Sequence, residues 1–130
     1  RRSGESLPHG ASVVVISSVA GKIGSPLHVG YCTSKGAVTL FVKACAMEFS
    51  ALGYKVRVNS VHPSGVKTGM VDHILQRIVD NGFAASVEEA AAGLAPAHPI
   101  GRMAVRFLAS DEAGYMHGSE LIVDGGFTAQ

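Results

Sequence analysis

The sequence predicts an α/β fold built on a parallel sheet, and three observations carry that prediction. A short β-branched run, Val13 to Ile16, is bounded by turn residues and reads as a buried strand over roughly 12–17. A stretch from about Tyr31 to Leu52 has helical spacing and stops at Gly53. A second β-branched run, 56–61, follows. Strand, helix and strand within about 45 residues make a parallel βαβ unit.

Composition sets the outer limits. The chain has 130 residues, 47% hydrophobic and 16% charged, which suits one globular domain with a modest core. A formal net charge of +1 gives no case for nucleic acid or an anionic membrane as partner. No apolar run approaches the ~18 residues of a membrane span. Cys32 and Cys45 lie thirteen positions apart on the helix. That is roughly 20 Å, too far for a disulfide. Both read as reduced thiols, and the expected location is cytoplasmic. None of the six histidines has metal-ligand spacing, so no metal site is expected.

Residues 1–10 are polar and read as a surface loop, in a chain that begins inside a larger protein. The first strand ends in Ser17 and Ser18, and the carboxyl end of a strand is where open α/β sheets place their ligand crevice. The loop 18–30 carries Gly21, Gly24, Pro26 and Gly30, with His28 three residues before Tyr31. His28 reads as a solvated loop residue or a substrate contact.

On the helix, Tyr31 and Lys35 are four apart and share a face. A phenol of pKa about 10 is a poor base at neutral pH, and a neighbouring ammonium favours its ionised form. A serine hydroxyl aimed at the same point holds a carbonyl or alcohol oxygen. The three make a proton-transfer site for interconverting C=O and CH–OH. Val38, Val42, Cys45 and Phe49 continue the face of Tyr31; Leu40, Ala44, Met47 and Ala51 lie opposite. Thr39, Lys43 and Ser50 form a narrow polar strip. A helix apolar on two faces needs cover on both: one side packs on the sheet, and the other predicts a partner subunit on the 31–52 helix or a second layer of the same chain.

The second strand runs into His62-Pro63-Ser64-Gly65-Val66-Lys67-Thr68, an irregular turn that exposes backbone groups to a ligand. Residues 70–79 read as a short amphipathic helix, and Ser86-Val87-Glu88-Glu89 as the capped start of another. A short last helix is expected over about 104–110, and a final strand and turn over Glu120 to Gly126.

The Ser-Ser strand end, the Tyr-x-x-x-Lys helix, Arg57-Val58-Asn59 leading to Pro63, and Val123-Asp124-Gly125-Gly126 occur in this order. In that order they resemble the short-chain dehydrogenase/reductase family across nearly the whole chain. The resemblance implies a doubly wound, Rossmann-like parallel sheet of which this chain is the C-terminal half. It implies a catalytic Ser18, thirteen residues before a general acid/base Tyr31, and a Lys35 that tunes Tyr31 and binds the cofactor ribose. Ser17 is the neighbouring candidate serine. Pro63, Gly65, Val66 and Thr68 would hold the nicotinamide of NAD or NADP, together with Tyr31 and Lys35. Ser18, His28 and Met70 would face the substrate, a small and hydrophobic secondary alcohol or ketone. Residues 69–99 would close over it, with Met70, Ile74, Leu75, Ile78 and Phe83 as an apolar lining. The resemblance also implies a homodimer or homotetramer through the 31–52 helix.

The chain departs from the family pattern in three places. Ser64 stands where Gly is usual, and Gly69 where Pro is common. After Pro99-Ile100-Gly101-Arg102-Met103 about ten residues of the expected last helix are missing, placing an apparent deletion near 103–104. The family's glycine-rich phosphate loop and its catalytic Asn have no counterpart in these residues. Two other readings stay open, the first on those grounds. One is a truncated or decayed chain acting as an interaction module. The other is a nucleotide-sugar epimerase or dehydratase, which also uses Tyr-x-x-x-Lys but lacks the Val-Asp-Gly-Gly ending.

Overall fold

The computed structural model describes residues 10–65, 69–94 and 105–129. Three strands form a parallel sheet: β1 (Ala11–Ile16), β2 (Val56–Pro63) and β3 (Glu120–Val123), in that spatial order. β1 pairs with β2 from Ala11↔Val56 to Ile16↔Val61. Between them runs α1 (Val29–Ala51); after β2 come α2 (Gly69–Asp80), α3 (Val87–Leu94) and α4 (Val105–Ala109). This is the α/β architecture the sequence predicts. The Glu120–Val123 strand stands at the sheet edge.

The described residues fall in two compact units, one within 1–62 and 104–122, the other within 63–103 and 123–130. In the first, the core gathers between sheet and helices, where Val42, Val58, Val61 and Leu108 have essentially no exposure. Four such aliphatic side chains stabilise the unit by roughly 1.5–3 kcal/mol each relative to exposure.

α1 starts two residues earlier than its spacing suggests. His28 provides no side-chain cap there, and the backbone enters through Leu27 at φ 63°. The helix ends as expected at Gly53, whose φ of +65° suits a residue without a Cβ. Of its two faces, the one bearing Val42 is buried, and Leu40 and Met47 opposite are 68% and 74% exposed. Thr39 departs from the expected polar strip. It is buried, and its hydroxyl donates to the Lys35 carbonyl at 2.9 Å. That backward bond within one turn lets a Thr sit on an inward face.

β2 extends two residues past the expected 56–61, through His62 and Pro63. Proline ends a strand without harm, because only its missing N–H is lost to the ladder. On the β3 side, Asn59 is fully buried and bonds in both directions. Its Nδ2 donates to Met116 O at 2.8 Å, and its Oδ1 accepts from Ser119 N at 2.9 Å. His117 adds a second clamp, accepting from Val58 N at 3.0 Å and donating to Ala46 O at 2.9 Å. Glu120 bridges Lys22 and Lys43, the latter at 2.6 Å, so one carboxylate ties the loop after β1, α1 and β3 together. The two ammonium groups hold its pKa at about 2, against an ordinary 4.5.

In the second unit, Leu75 of α2 and Ala90 of α3 are buried and the two helices pack together. The capping box forms: Ser86 Oγ accepts from Glu89 N at 3.2 Å, and Glu89 Oε2 accepts from Ala85 N at 2.7 Å. Phe83 is exposed. The Met70 side chain, the 99–103 lead-in and the expected deletion near 103–104 lie outside the described residues. α4 ends at Ala109, one residue before its expected end. Asp124 closes the unit's final turn, its carboxylate accepting from Thr128 Oγ1, Gly126 N and Thr128 N. No helix among the described residues is long and apolar enough to cross a membrane.

Candidate active site

β1 ends at Ile16, and the two serines beyond it have different surroundings. Ser17 is buried, and its N–H donates to Val61 O at 2.8 Å, one step past the paired register. Its hydroxyl donates to the Lys35 carbonyl at 3.0 Å and lies 3.4 Å from Thr39 Oγ1. Ser17 therefore ties the strand end to α1. Gly21 allows this approach, since a Cβ there would stand 2.7 Å from Lys35 O.

Ser18 is extended, with φ −165° and ψ 159°. Its Oγ accepts from Ala20 N at 3.1 Å and so caps the 3-10 turn Val19–Gly21. Its carbonyl accepts from Gly21 N at 3.0 Å and faces His62 Nδ1, also at 3.0 Å.

Lys35 reaches back from the second turn of α1. Its Nζ donates to the Ile16 carbonyl at 3.0 Å and lies 5.7 Å from the centroid of the Tyr31 ring, within cation–π range. An ammonium has three donors, and among the described residues one is engaged, so two remain for a ligand. The Lys35 ammonium thus sits at the end of β1, with the Tyr31 ring beside it.

His28 is not free in the loop. Its Nδ1 faces Pro26 O at 2.6 Å and Ser25 Oγ at 3.3 Å, so Nδ1 carries a hydrogen. Its Nε2 is buried, with no hydrogen-bond partner among the described residues. The residue as a whole is half-buried, and its Pro26 bond is exposed. Pro63 closes β2, Ser64 Oγ donates to Asp124 O at 3.3 Å, and Gly65 is exposed. Val66 and Thr68 lie outside the described residues.

Cys32 and Cys45 are both free thiols. Among the described residues no three His, Cys, Asp or Glu side chains gather at metal-ligating range. A separate open groove lies at the opposite end of β1 and β2, lined by Ala11, Tyr54, Arg57, Asp111 and Tyr115. Its Arg57 guanidinium is engaged by the Ser110, Leu108 and Met116 carbonyls, and it is remote from Ser18.

Residues 1–128 match the family profile described as enoyl-(acyl carrier protein) reductase. The chain belongs to the short-chain dehydrogenase/reductase family. It is 43% identical over 128 residues to the cyclopentanol dehydrogenase of Comamonas sp., covering 93% of this chain and 47% of that protein. It is 36% identical over 121 residues to the NADP-dependent (R)-specific alcohol dehydrogenase of Lentilactobacillus kefiri, with 93% and 47% covered. Among solved structures, a short chain dehydrogenase family protein from Francisella tularensis superposes with a TM-score of 0.78 at 33% identity, covering 94% of this chain and 52% of the other. The chain spans about half the length of the curated relatives it matches.

Sequence reasoning missed His62 as part of this site. The register was the missing signal: once Ile16 faces Val61, His62 falls beside the Ser17-Ser18 step.

Proposed function

We propose that this short-chain dehydrogenase/reductase interconverts a secondary alcohol and a ketone with NAD or NADP. Tyr31 passes the proton to or from the substrate oxygen, and Ser18 hydrogen-bonds that oxygen. Lys35 places a positive charge beside the Tyr31 ring and offers its two unengaged N–H groups to the ribose hydroxyls. The bound nicotinamide supplies or accepts the hydride. Pro63, Gly65, Val66 and Thr68 hold the carboxamide side of that cofactor, while His28 and Met70 border the substrate. The donor set suits such a ligand, since an ammonium anchored by one bond can still give two.

The observation that carries the reading is the Lys35 anchor. Lys35 donates to the Ile16 carbonyl at 3.0 Å and lies 5.7 Å from the Tyr31 ring, so its charge is directed to the strand end and the phenol together. That placement suits a binding site. The relatives named for cyclopentanol and (R)-specific alcohols support a secondary alcohol, with a small alicyclic ring as the first choice. The exposed α1 face bearing Leu40, Phe41 and Met47 pairs with a second copy of the chain. The location is the cytoplasm.

The test is Tyr31→Phe in the full-length protein, assayed with cyclopentanol and either cofactor. Turnover falls by about 100-fold or more, the scale of a lost general acid/base. Cofactor affinity, read by fluorescence titration, stays within about threefold, because the aromatic ring and Lys35 remain. A Tyr31→Phe protein with undiminished turnover overturns the assignment.

A further inference from the structure

We infer that His62 is a positioning residue for Ser18, acting on its main chain from the neighbouring strand. The inference rests on the reading of Ser18 as the residue that binds the substrate oxygen. It adds a residue to which that reading gives no part.

The imidazole has no exposure, and it sits in β2 one position after the fully buried Val61. An aliphatic side chain would fill that space with no polar atoms to satisfy. A fully buried imidazole costs free energy unless its nitrogens are hydrogen-bonded. Both are. Nδ1 meets the Ser18 carbonyl at 3.0 Å, and because a carbonyl only accepts, Nδ1 carries the hydrogen. Nε2 meets the Ser60 hydroxyl at 2.9 Å. Ser60 is itself fully buried and also lies 3.5 Å from Ser119 O.

The ring is therefore held at both nitrogens, and Nδ1 bears on one atom of the site. Ser18 lies beyond the last paired residue of β1, where the ladder no longer fixes the backbone. Two donors take its place on the Ser18 carbonyl. Gly21 N closes the 3-10 turn locally, and His62 supplies the long-range bond. Without His62, the Ser18 carbonyl loses its bond across the strands and keeps the local one from Gly21 N. The backbone that aims the hydroxyl is then less tightly fixed. Misplacing a positioned group by about 1 Å is enough to slow a reaction by as much as 100-fold.

The experiment uses the full-length protein with cyclopentanol and its preferred cofactor, in four variants: His62→Leu, His62→Asn, Ser18→Ala, and Ser18→Ala with His62→Leu. His62→Leu lowers kcat about tenfold or more with KM changed less than about twofold, the pattern of an interaction used in the transition state. His62→Asn recovers most of the loss, because the Asn amide presents an N–H near the position of Nδ1. In the Ser18→Ala background, His62→Leu slows turnover no further, since residues that act through one another are not additive. A merely structural histidine would cost the same factor in both backgrounds, and that result overturns the inference. So does an unimpaired His62→Leu enzyme beside an impaired Ser18→Ala enzyme. An unimpaired Ser18→Ala enzyme removes the Ser18 reading instead, and this inference with it. Should His62→Leu fail to fold, nitrogen-15 spectra of the wild-type imidazole decide. A bare Nδ1 and a protonated Nε2 would overturn the clamp.

Discussion

Ser17→Ala and Ser18→Ala, made side by side, separate structure from chemistry at adjacent positions. Ser17 is 2% exposed, and its hydroxyl gives one bond of 3.0 Å to the Lys35 carbonyl. That carbonyl also receives Thr39 Oγ1 at 2.9 Å. Removing the Ser17 hydroxyl therefore strands no buried acceptor, and the loss is that of a single net hydrogen bond, about 1 kcal/mol. With m near 2 kcal/mol/M, the urea midpoint drops by about 0.5 M. Ser18→Ala removes the acceptor for Ala20 N, an N-cap bond worth about 1 kcal/mol. The two variants should thus lose similar stability. Their kinetics diverge. Ser17→Ala keeps kcat within about twofold, because its oxygen is turned to the helix, whereas Ser18→Ala loses about 100-fold, or about 2.7 kcal/mol of barrier. Circular dichroism in urea and initial rates on the same preparations give both numbers. Equal kinetic losses at the two serines, or a larger loss at Ser17, would refute the division of roles.

Two further outcomes follow from charge and exposure. The Glu120 carboxylate, held at about 2 by Lys22 and Lys43, and the Asp124 carboxylate, lowered chiefly by the Thr128 hydroxyl and then by the Gly126 and Thr128 N–H groups against the opposing effect of burial, both bind protons less readily when folded. Their stabilisation is complete above the unfolded carboxylate range and is lost as pH falls from about 4.5 toward 2. Urea midpoints should be flat from pH 7 to 5 and then fall; Glu120→Gln flattens that fall, and an unchanged slope between pH 5 and 3 would contradict the bridge. On α1, Leu40→Glu with Met47→Glu places charges on the exposed apolar face and converts a dimer or tetramer to monomer in sedimentation. A wild-type protein that sediments as a monomer would reject the pairing.

The sequence by itself determined the parts whose signal is local. Short β-branched runs bounded by turn residues marked β1 and β2, the run into a glycine turn marked β3, and helical spacing marked α1 and set its Val42 face opposite its Leu40 and Met47 face. The Tyr-x-x-x-Lys spacing put Tyr31 and Lys35 on one face, because four residues are nearly one turn. The tertiary structure alone decided what crosses between elements. Nothing in the spacing shows that Lys35 anchors on Ile16 O, that Thr39 turns inward, or that Ser17 rather than Ser18 is the strand-to-helix tie. Nor does it place His62 on Ser18, forty-four residues away. These bonds depend on strand register and on how closely the loop at Gly21 approaches α1. A slip of one residue would turn His62 to the other face of the sheet, so its role exists only once β1 and β2 are paired.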